Sequence, residues 1–381
     1  MTATNIYADD FTRQFWEESQ LMDFLHKIEQ SAAWGTLPSA AMQFIALEKG
    51  TLLIDGYKAE YDLEGKASVI DDTLENTALM LRLDSGIYPV RSCAIKTILD
   101  RARISGNALS KVAKPVLADI LNQCLRVASG DALYRISEDK VSAVHGGDSS
   151  DYAVLEMPAL LERTINHLNA HFPGYRFAGG SYDHSLFTAS WALGGNDELL
   201  AAYKEALMLH EVPFDNIKPA LRLASSDVGI SGANLFPTLH TGNGNIISLG
   251  NPLKLEHRAG ATLERFDEQL DMIYAQYKSA IGALEKLLYI EIANPVNCMG
   301  GVMKRIGIPK KLAFHAMDLF GAQYGASACT AHNLYYGINE VIFMLQCDGA
   351  SGTRVAQMEE TVARALSVRW SDYDMPGEFK W

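Results

Sequence analysis

The chain has 381 residues, of which 48% are hydrophobic and 21% charged, so it can bury a sizeable core as two domains or one large one. Its formal net charge of −13 argues against loose, charge-driven binding of nucleic acid, although it leaves room for a local basic groove. No apolar run reaches the roughly 18 residues of a membrane span, and residues 1–10 lack the basic and apolar parts of a signal peptide, which predicts a cytoplasmic protein without a membrane partner.

The charge is unevenly spread along the chain. Residues 1–90 carry 6 basic and 15 acidic side chains, a net −9, whereas residues 91–130 carry 7 basic and 2 acidic side chains, a net +5. We predict an acidic N-terminal extension over 1–90, an α+β core over 91–300 and a helical C-terminal region over 301–381 that packs on the core. The 5 cysteines form no CxxC pair, which argues against a disulfide framework and a cysteine-based zinc site.

Hydrophobic periodicity predicts helices and strands in a mixed order. The predicted elements are, in chain order, a helix over 9–33, a β-hairpin over 41–63, a short helix from 71, a helical block over 91–128, a hairpin over 134–144, a helix over 157–172, strands over 175–177 and 185–193, a helix over 196–209, strands within 217–260, one long helix over 261–290, helices within 310–346 and a last helix over 353–370. The strands of 217–260 are expected to fold onto the long helix. The fold class is therefore predicted as α+β, with a mainly antiparallel sheet packed on long helices.

Residues 98–112 superficially resemble a helix-turn-helix. A first helix would end near Ile104, and Ser105 would cap a second helix. Arg103 stands where such a turn usually has a small residue. A structural corner is therefore favoured over a helix that reads DNA.

The remaining motifs argue against a cofactor or metal. The chain has neither GxxxxGK nor GxGxxG, so no nucleotide cofactor is predicted. His167 and His171 share a helix face at i and i+4, but Leu168 stands where a zincin has Glu, and no third ligand follows at a diagnostic spacing. We predict no metal site.

Polar residues gather where the strands of 217–260 end. The set is Ser225, Ser226 and Asp227 after one strand, and Glu256, His257 and Arg258 after a later one. If these strands pair, the groups meet beside the start of the long helix, whose free N–H groups and dipole suit an anion such as a backbone phosphate. His257 and Arg258 would contact that anion while Asp227 orients them. The alternative is that Asp227 caps a turn and Arg258 pairs with a carboxylate.

Three stretches of the sequence are Ala224-Ser-Ser-Asp-Val-Gly229, Leu255-Glu-His-Arg-Ala-Gly260 and Ala331-His-Asn-Leu-Tyr-Tyr-Gly-Ile-Asn-Glu340. They resemble a phage- and plasmid-like family of unknown function that is common on mobile elements. The resemblance covers residues 90–370. Thr241-Gly-Asn-Gly stands where the family has Cys-Thr-Asn-Gly, and Ala259 stands where Gly is common. The resemblance implies a mobile-element protein in a bacterial cytoplasm, with no established activity.

Three functions are predicted as alternatives. The first is the handling of nucleic acid, because a hairpin, strands and a long helix are similar in outline to single-strand annealing proteins of the RecT type. Single-stranded DNA would run along a groove lined by Arg91, Lys96, Arg101, Arg103, Lys111, Lys114, His257 and Arg258.

The second function is self-assembly or contact with a host protein, through the acidic N-terminal segment and an aromatic tail. That tail consists of Trp370, Tyr373, Phe379 and Trp381. The third is an enzyme that uses Asp227 and His257, which requires the two side chains to come within hydrogen-bond reach.

Overall fold

The computed structural model describes residues 5–47, 63–148, 151–242, 246–250, 252–325, 327–377 and 379–381. Antiparallel sheets and helices share these residues in an α+β fold with a helical C-terminal region, as the sequence predicts. No helix among them is both long and apolar enough to cross a bilayer.

The described helices and strands have the following bounds. The helices are α1 Glu18–Ser31, α2 Leu63–Glu75, α3 Ala94–Arg101, α4 Lys114–Val127, α5 Met157–His171, α6 Ala201–Leu209, α7 Leu263–Asp271, α8 Ile273–Lys286, α9 Pro295–Ile306, α10 Lys310–Tyr324, α11 Ala331–Cys347 and α12 Gly352–Ala363. The strands are β1 Thr12–Phe15, β2 Ala33–Pro38, β3 Gln43–Ala46, β4 Leu79–Leu83, β5 Gly86–Pro89, β6 Asp131–Ser137, β7 Lys140–Gly146, β8 Arg176–Asp183, β9 Phe187–Ala192, β10 Lys218–Ser225, β11 Ala233–His240, β12 Ile246–Ser248, β13 Leu253–Leu255, β14 Glu291–Ile292 and β15 Cys329–Thr330.

The largest sheet has the order β1-β8-β9-β10-β11-β12, and β13 pairs with the other end of β11. All but the first residue of β10 are buried, because this strand lies in the middle of the sheet. Helix α5 packs on α1 and α7, and α8 packs on β11. The stretch 217–290 therefore does form strands folded against helix, as predicted.

Two sheets recruit strands from the first ninety residues. Strand β1 pairs with β8, and β2 pairs with β6 in a smaller sheet of order β2-β6-β7. Residues 1–90 are therefore not a separate extension, and that domain boundary is corrected. Strand β3 pairs with β4, while the second arm of the predicted 41–63 hairpin falls outside the described residues.

Buried apolar side chains form two main cores. The large core holds side chains from α1, α5 and the seven-stranded sheet, together with most of the helices after 200, and the small core holds side chains of β2–β7, α3 and α4. The hairpin of β6 and β7 is predicted correctly. Glu138 and Asp139 turn it with positive φ values of 51° and 61°, the backbone that suits the twist of a two-residue hairpin.

Two predicted helices differ in the structure. The long helix over 261–290 divides at Met272 into α7 and α8. Residues 102–113 form turns rather than the second helix of a helix-turn-helix, so Ser105 caps nothing. Arg103 has a φ of 55°, a left-handed conformation that an α-helix cannot contain. The next helix begins at Lys114, with Pro115 in its first turn.

The aromatic tail folds back onto α9. Trp370 is 1% exposed and donates from its indole N–H to the Ala365 carbonyl at 3.1 Å. The ring of Tyr373 packs directly against Gly301, because a Cβ at this position would lie only 2.8 Å from the tyrosine ring. Phe379 and Trp381 pack against each other and against Phe314, at ring distances of 5.9 to 6.5 Å. Trp370 is thus unavailable to a partner, whereas Tyr373, Phe379 and Trp381 are half-exposed, and contact of the tail with a partner stays a prediction.

Candidate functional site

Four residues of the predicted polar cluster, Ser225, Ser226, Asp227 and His257, are buried, whereas Glu256 and Arg258 lie at the surface. His257 is 6% exposed, its Nδ1 lies 3.0 Å from the Ala153 carbonyl and its Nε2 lies 3.2 Å from Ser225 Oγ. Since a carbonyl only accepts, Nδ1 donates and Nε2 accepts the serine hydroxyl. Both ring nitrogens are therefore occupied, and it is the Ala153 carbonyl rather than Asp227 that orients the ring.

Asp227 instead faces an arginine of the small core. Its Oδ2 lies 3.4 Å from Arg135 Nε, and Glu29 Oε2 lies 3.5 Å from Nη2 of the same arginine. His145 donates from Nε2 to the Asp227 carbonyl at 2.8 Å. Burial works against the charge of Arg135, yet Asp227 holds its pKa above the ordinary value, while burial raises the pKa of Glu29.

Four rings stack beside this ion pair. Tyr152 lies 3.7 Å from His145 and 5.2 Å from His257 between ring centroids, and Trp34 lies 5.8 Å from Tyr152. Burial lowers the pKa of His145 to about 4 and lowers that of His257. We call the set Glu29, Arg135, His145, Tyr152, Asp227 and His257 the polar junction, in which Glu29 and His145 are half-buried and the other four are buried. It joins the two cores.

The two exposed residues of the predicted cluster, Glu256 and Arg258, also have a partner, since they pair with each other. Glu256 Oε2 lies 2.9 Å from Arg258 Nε on the surface, which matches the alternative that Arg258 pairs with a carboxylate. Thr262 caps the following helix by accepting from the Arg265 N–H. His257 is thus buried, and the start of the helix is capped by Thr262 of the same chain. The structure therefore does not place His257 beside an open helix start, as the predicted anion site requires. Ser226 likewise turns inward and accepts from the Val228 N–H.

The predicted basic groove loses two arginines in addition to the buried His257. Arg91 is 0% exposed, donates to the Tyr7 and Ala8 carbonyls and pairs with Asp9 at 3.6 Å. Arg101 is 9% exposed and donates to Ser39 Oγ at 2.7 Å and to two backbone carbonyls. The prediction that these two arginines contact a nucleic acid is wrong, because their guanidinium groups are used inside the fold.

The other predicted cations remain at the surface. Lys96, Arg103 and Lys111 are exposed, and Lys114 is half-buried at the start of α4. The ammonium group of Lys96 donates to the Gly229 carbonyl at 3.2 Å. These side chains can still reach a ligand.

A different cluster of arginines lines an open cavity in the helical C-terminal region. The cavity has a volume of about 420 Å³ and receives Arg305, Arg364 and Arg369, together with Ser367, Asp372 and Tyr373. We call it the arginine cavity. All three arginines are exposed, and among the described residues none of their guanidinium groups has a hydrogen-bond or ion-pair partner.

Helical segments position the backbone of these arginines. Arg305 lies in the last turn of α9, Arg364 begins a 3-10 helix directly after α12, and Arg369 precedes the 3-10 helix Trp370–Tyr373. The buried Trp370 and the contact of Tyr373 with α9 fix that last segment. Three cations against the single carboxylate of Asp372 repel one another, so an anion bound among them would be favoured.

A second cavity, also of about 420 Å³, opens between α10 and α11. Its walls are mainly apolar, and its polar lining comes from Asp215, Thr241, Gln323, His332, Asn333, Tyr336 and Glu340. We call it the His332 cavity. Three residues of the stretch Ala331–Glu340 lie on one side of α11 at four-residue spacing, at positions 332, 336 and 340, which is why a single helix face supplies this chemistry.

Two side chains on one wall of this cavity, His332 and Tyr336, are hydrogen-bonded to Tyr203. The Tyr203 hydroxyl lies 2.6 Å from His332 Nε2 and 3.0 Å from the Tyr336 hydroxyl. Burial lowers the pKa of His332 to about 4, so its imidazole is neutral at pH 7. Its Nδ1 has no partner among the described residues and can donate to or accept from a ligand.

Sequence patterns find only part of these sites. The junction was visible in Asp227 and His257, but Arg135 and His145 come from a hairpin far away in the chain. The arginine cavity follows no motif, and its one local signal is residues 303–315, which hold four basic and no acidic side chains. Neither a protein-family model, nor a curated protein, nor a solved structure matches this chain.

Proposed function

We propose that the protein binds single-stranded nucleic acid, and that the phosphate backbone enters the arginine cavity. The observation that carries this proposal is that three guanidinium groups without internal partners line one cavity of an otherwise acidic protein. Guanidinium forks match the geometry of phosphate oxygens and form two parallel hydrogen bonds with them. A function in a mobile element, as the sequence resemblance implies, is compatible with this proposal and stays a prediction.

The shape of the cavity favours a single strand over a duplex. The phosphates of a duplex lie on a convex surface, whereas a flexible single strand can bend its phosphate backbone, with several successive phosphates, into a concave site. Tyr373 lines the same cavity and offers a ring for stacking a base. Stacking on an aromatic side chain tolerates every base, so we expect binding with little sequence preference.

The proposal moves the contact surface away from the cations that the sequence suggests. Lys96, Arg103 and Lys111 are exposed in another part of the chain, so their replacement is the control for replacement of the three arginines. Replacing each set of three removes the same charge from the protein. A difference between the two variants therefore reports the location of the charges, rather than their number.

The test is fluorescence anisotropy of a labelled oligothymidylate titrated with the full chain at low salt. We expect the variant R305A/R364A/R369A to bind at least about tenfold more weakly than wild type, since each lost phosphate contact removes part of the electrostatic affinity. The variant K96A/R103A/K111A should stay within about twofold of wild type. The absence of wild-type binding at low salt, or equal losses in the two variants, would overturn the proposal. Circular dichroism of both variants checks that they fold.

A second candidate function is the binding of a small uncharged molecule in the His332 cavity. It is favoured by apolar walls and a neutral histidine with a free ring nitrogen, and the lining contains no Lys or Arg among the described residues. Such a site suits a planar molecule with one hydrogen-bonding group. An anion is disfavoured there, because Asp215 and Glu340 share the lining.

Nile red, a planar uncharged dye, is the probe for this second function. Leu319 lines the cavity and is 48% exposed, so the variant L319W should narrow its mouth without disturbing the core. Leu209 is 74% exposed and does not line the cavity, which makes L209W the matched control. We expect L319W alone to weaken dye binding. Equal effects of the two substitutions, or no fluorescence rise with wild type, would exclude this function.

The remaining alternatives stay predictions. Self-association or contact with a host protein through the aromatic tail would have to use Tyr373, Phe379 and Trp381, which are half-exposed, because Trp370 is buried. Light scattering of the purified protein tests self-association directly, and a strict monomer would count against it. For an enzyme that uses Asp227 and His257, the junction supplies no hydrogen bond between the two side chains among the described residues.

A further inference from the structure

Two helices that pack side by side bring two histidines and a carboxylate together. His167 and His171 lie one turn apart on α5, with ring centroids separated by 4.5 Å. Asp271 is the last residue of α7, and its Oδ1 lies 3.7 Å from His167 Nδ1. One ligand atom from each residue lies within 4.8 Å of the other two.

The packing of the two helices fixes this arrangement. One turn earlier, Arg163 of α5 pairs with Asp267 of α7, so the two helices run in the same direction with matched turns. The His167–Asp271 contact repeats the same spacing four residues later on both helices. The third ligand is therefore set by tertiary structure, and the spacing of residues along the chain could not reveal it.

We propose that His167, His171 and Asp271 bind a divalent transition-metal ion, of which Zn²⁺ is the main candidate. Two imidazole nitrogens and one carboxylate oxygen suit Zn²⁺, Ni²⁺ or Cu²⁺, whereas Mg²⁺ and Ca²⁺ prefer sites made of oxygen alone. Water molecules complete the coordination shell, because the site lies at the surface.

The side chains can adopt the required geometry at little cost. Zinc bonds of about 2.1 Å place tetrahedral ligand atoms about 3.5 Å apart, so the observed spread must shrink slightly. His171 is exposed, and the Asp271 side chain is 75% exposed, so both can rotate toward the ion. His167 is held more firmly, with a side chain that is 12% exposed.

A bound ion would tie α5 to α7 and stabilise the folded protein. An ion that binds only the native state raises the melting temperature in proportion to the logarithm of its free concentration. The site would act as a clamp between two helices of the large core, and it is separate from the arginine cavity.

The test is isothermal titration of the metal-free full chain with ZnSO₄ at pH 7.5, together with melting curves in the same solutions. We expect one equivalent of Zn²⁺ to bind and to raise the melting temperature. The variants H171A and D271N should each weaken binding by roughly tenfold or more, because even groups that only support a metal ligand contribute that much. Excess MgCl₂ should not compete with Zn²⁺.

The variant H315A is the matched control, since His315 is exposed on α10 and belongs to no such group of ligands among the described residues. It should bind Zn²⁺ as wild type does. Absorption of the Co²⁺-loaded protein gives a second readout that depends on coordination and not on stability. The proposal is overturned if wild type binds no Zn²⁺ near one equivalent, or if H171A and H315A lose affinity alike.

Discussion

Arg135 Nε lies 3.4 Å from Asp227 Oδ2, and this ion pair crosses the boundary between the two hydrophobic cores. Arg135 belongs to the hairpin of β6 and β7, which packs in the small core, while Asp227 follows the central strand of the large sheet. The pair explains why the most polar stretch of the sequence does not form an open active site. Its charges serve the contact between two halves of the fold.

Breaking this pair from one side should be costly. The variant R135M leaves the buried carboxylate of Asp227 and the half-buried carboxylate of Glu29 without their cation, and we expect a loss of about 3–5 kcal/mol in the free energy of unfolding. The matched control is K254M, because Lys254 and Glu360 form an exposed pair at 3.1 Å that should contribute less than about 1 kcal/mol. Urea unfolding measures both values. Similar losses in the two variants would contradict a structural role for the junction.

Acid should weaken the junction through His145. Burial lowers its folded pKa to about 4 from an unfolded value of 6.5, so the neutral ring contributes stability that is present above pH 6.5 and is lost as the pH falls toward 4. A shift of this size corresponds to about 3 kcal/mol. The variant H145Q keeps a donor for the Asp227 carbonyl and should show a shallower fall in the free energy of unfolding over that range. The variant H315Q should follow wild type, and a curve for H145Q as steep as that of wild type would refute the assignment.

Substitution by alanine at two helical glycines should change the free energy of unfolding in opposite directions. A Cβ at Gly301 would meet the Tyr373 side chain at 2.8 Å and 3.1 Å, so G301A should destabilise the docked tail by about 1 kcal/mol despite its better helix propensity. A Cβ at Gly282 would meet no atom of the described residues within 4 Å, so G282A should stabilise the protein by about 0.5–1 kcal/mol. Thermal unfolding separates the two cases. A stabilising G301A would mean that the tail does not pack on α9 as described.

The docking of the tail also bears on ligand binding, because Tyr373 lines the arginine cavity. The variant G301A should displace that ring and weaken oligonucleotide binding several-fold, by an amount in the range of one lost stacking contact. G282A again provides the control with an unchanged cavity. Unaltered affinity in G301A would show that the position of Tyr373 does not matter for binding.

Local patterns predicted the fold class and several elements correctly. The β6–β7 hairpin and helix α5 follow from alternation and from Pro158 in a first helical turn, both of which are properties of neighbouring residues. Strand β1 was missed inside a predicted helix, because its pairing with β8 lies about 170 residues away along the chain and local periodicity does not record it. The break at Met272 was missed for a similar reason, since hydrophobic spacing continues across it.

The sites show the same division between local and distant information. Ser225 and His257 do meet, as strand pairing suggested, at 3.2 Å. Charge counting could not separate Arg91, which is buried in an ion pair, from Arg103, which is exposed. Whether a guanidinium group has a hydrogen-bond partner depends on residues that are distant in the sequence. For the same reason, the sequence could not identify Arg305, Arg364 and Arg369 as a cluster.

The dependence of oligothymidylate affinity on salt tests the central claim most directly. The logarithm of the binding constant should fall linearly with the logarithm of the salt concentration, with a slope set by the number of phosphates contacted. Each arginine that neutralises a phosphate of a single strand contributes about 0.7 to that slope, so R305A/R364A/R369A should reduce it by about 2. K96A/R103A/K111A should leave the slope unchanged. A slope that is the same in wild type and in the triple arginine variant would contradict the assignment of the arginine cavity as the phosphate site.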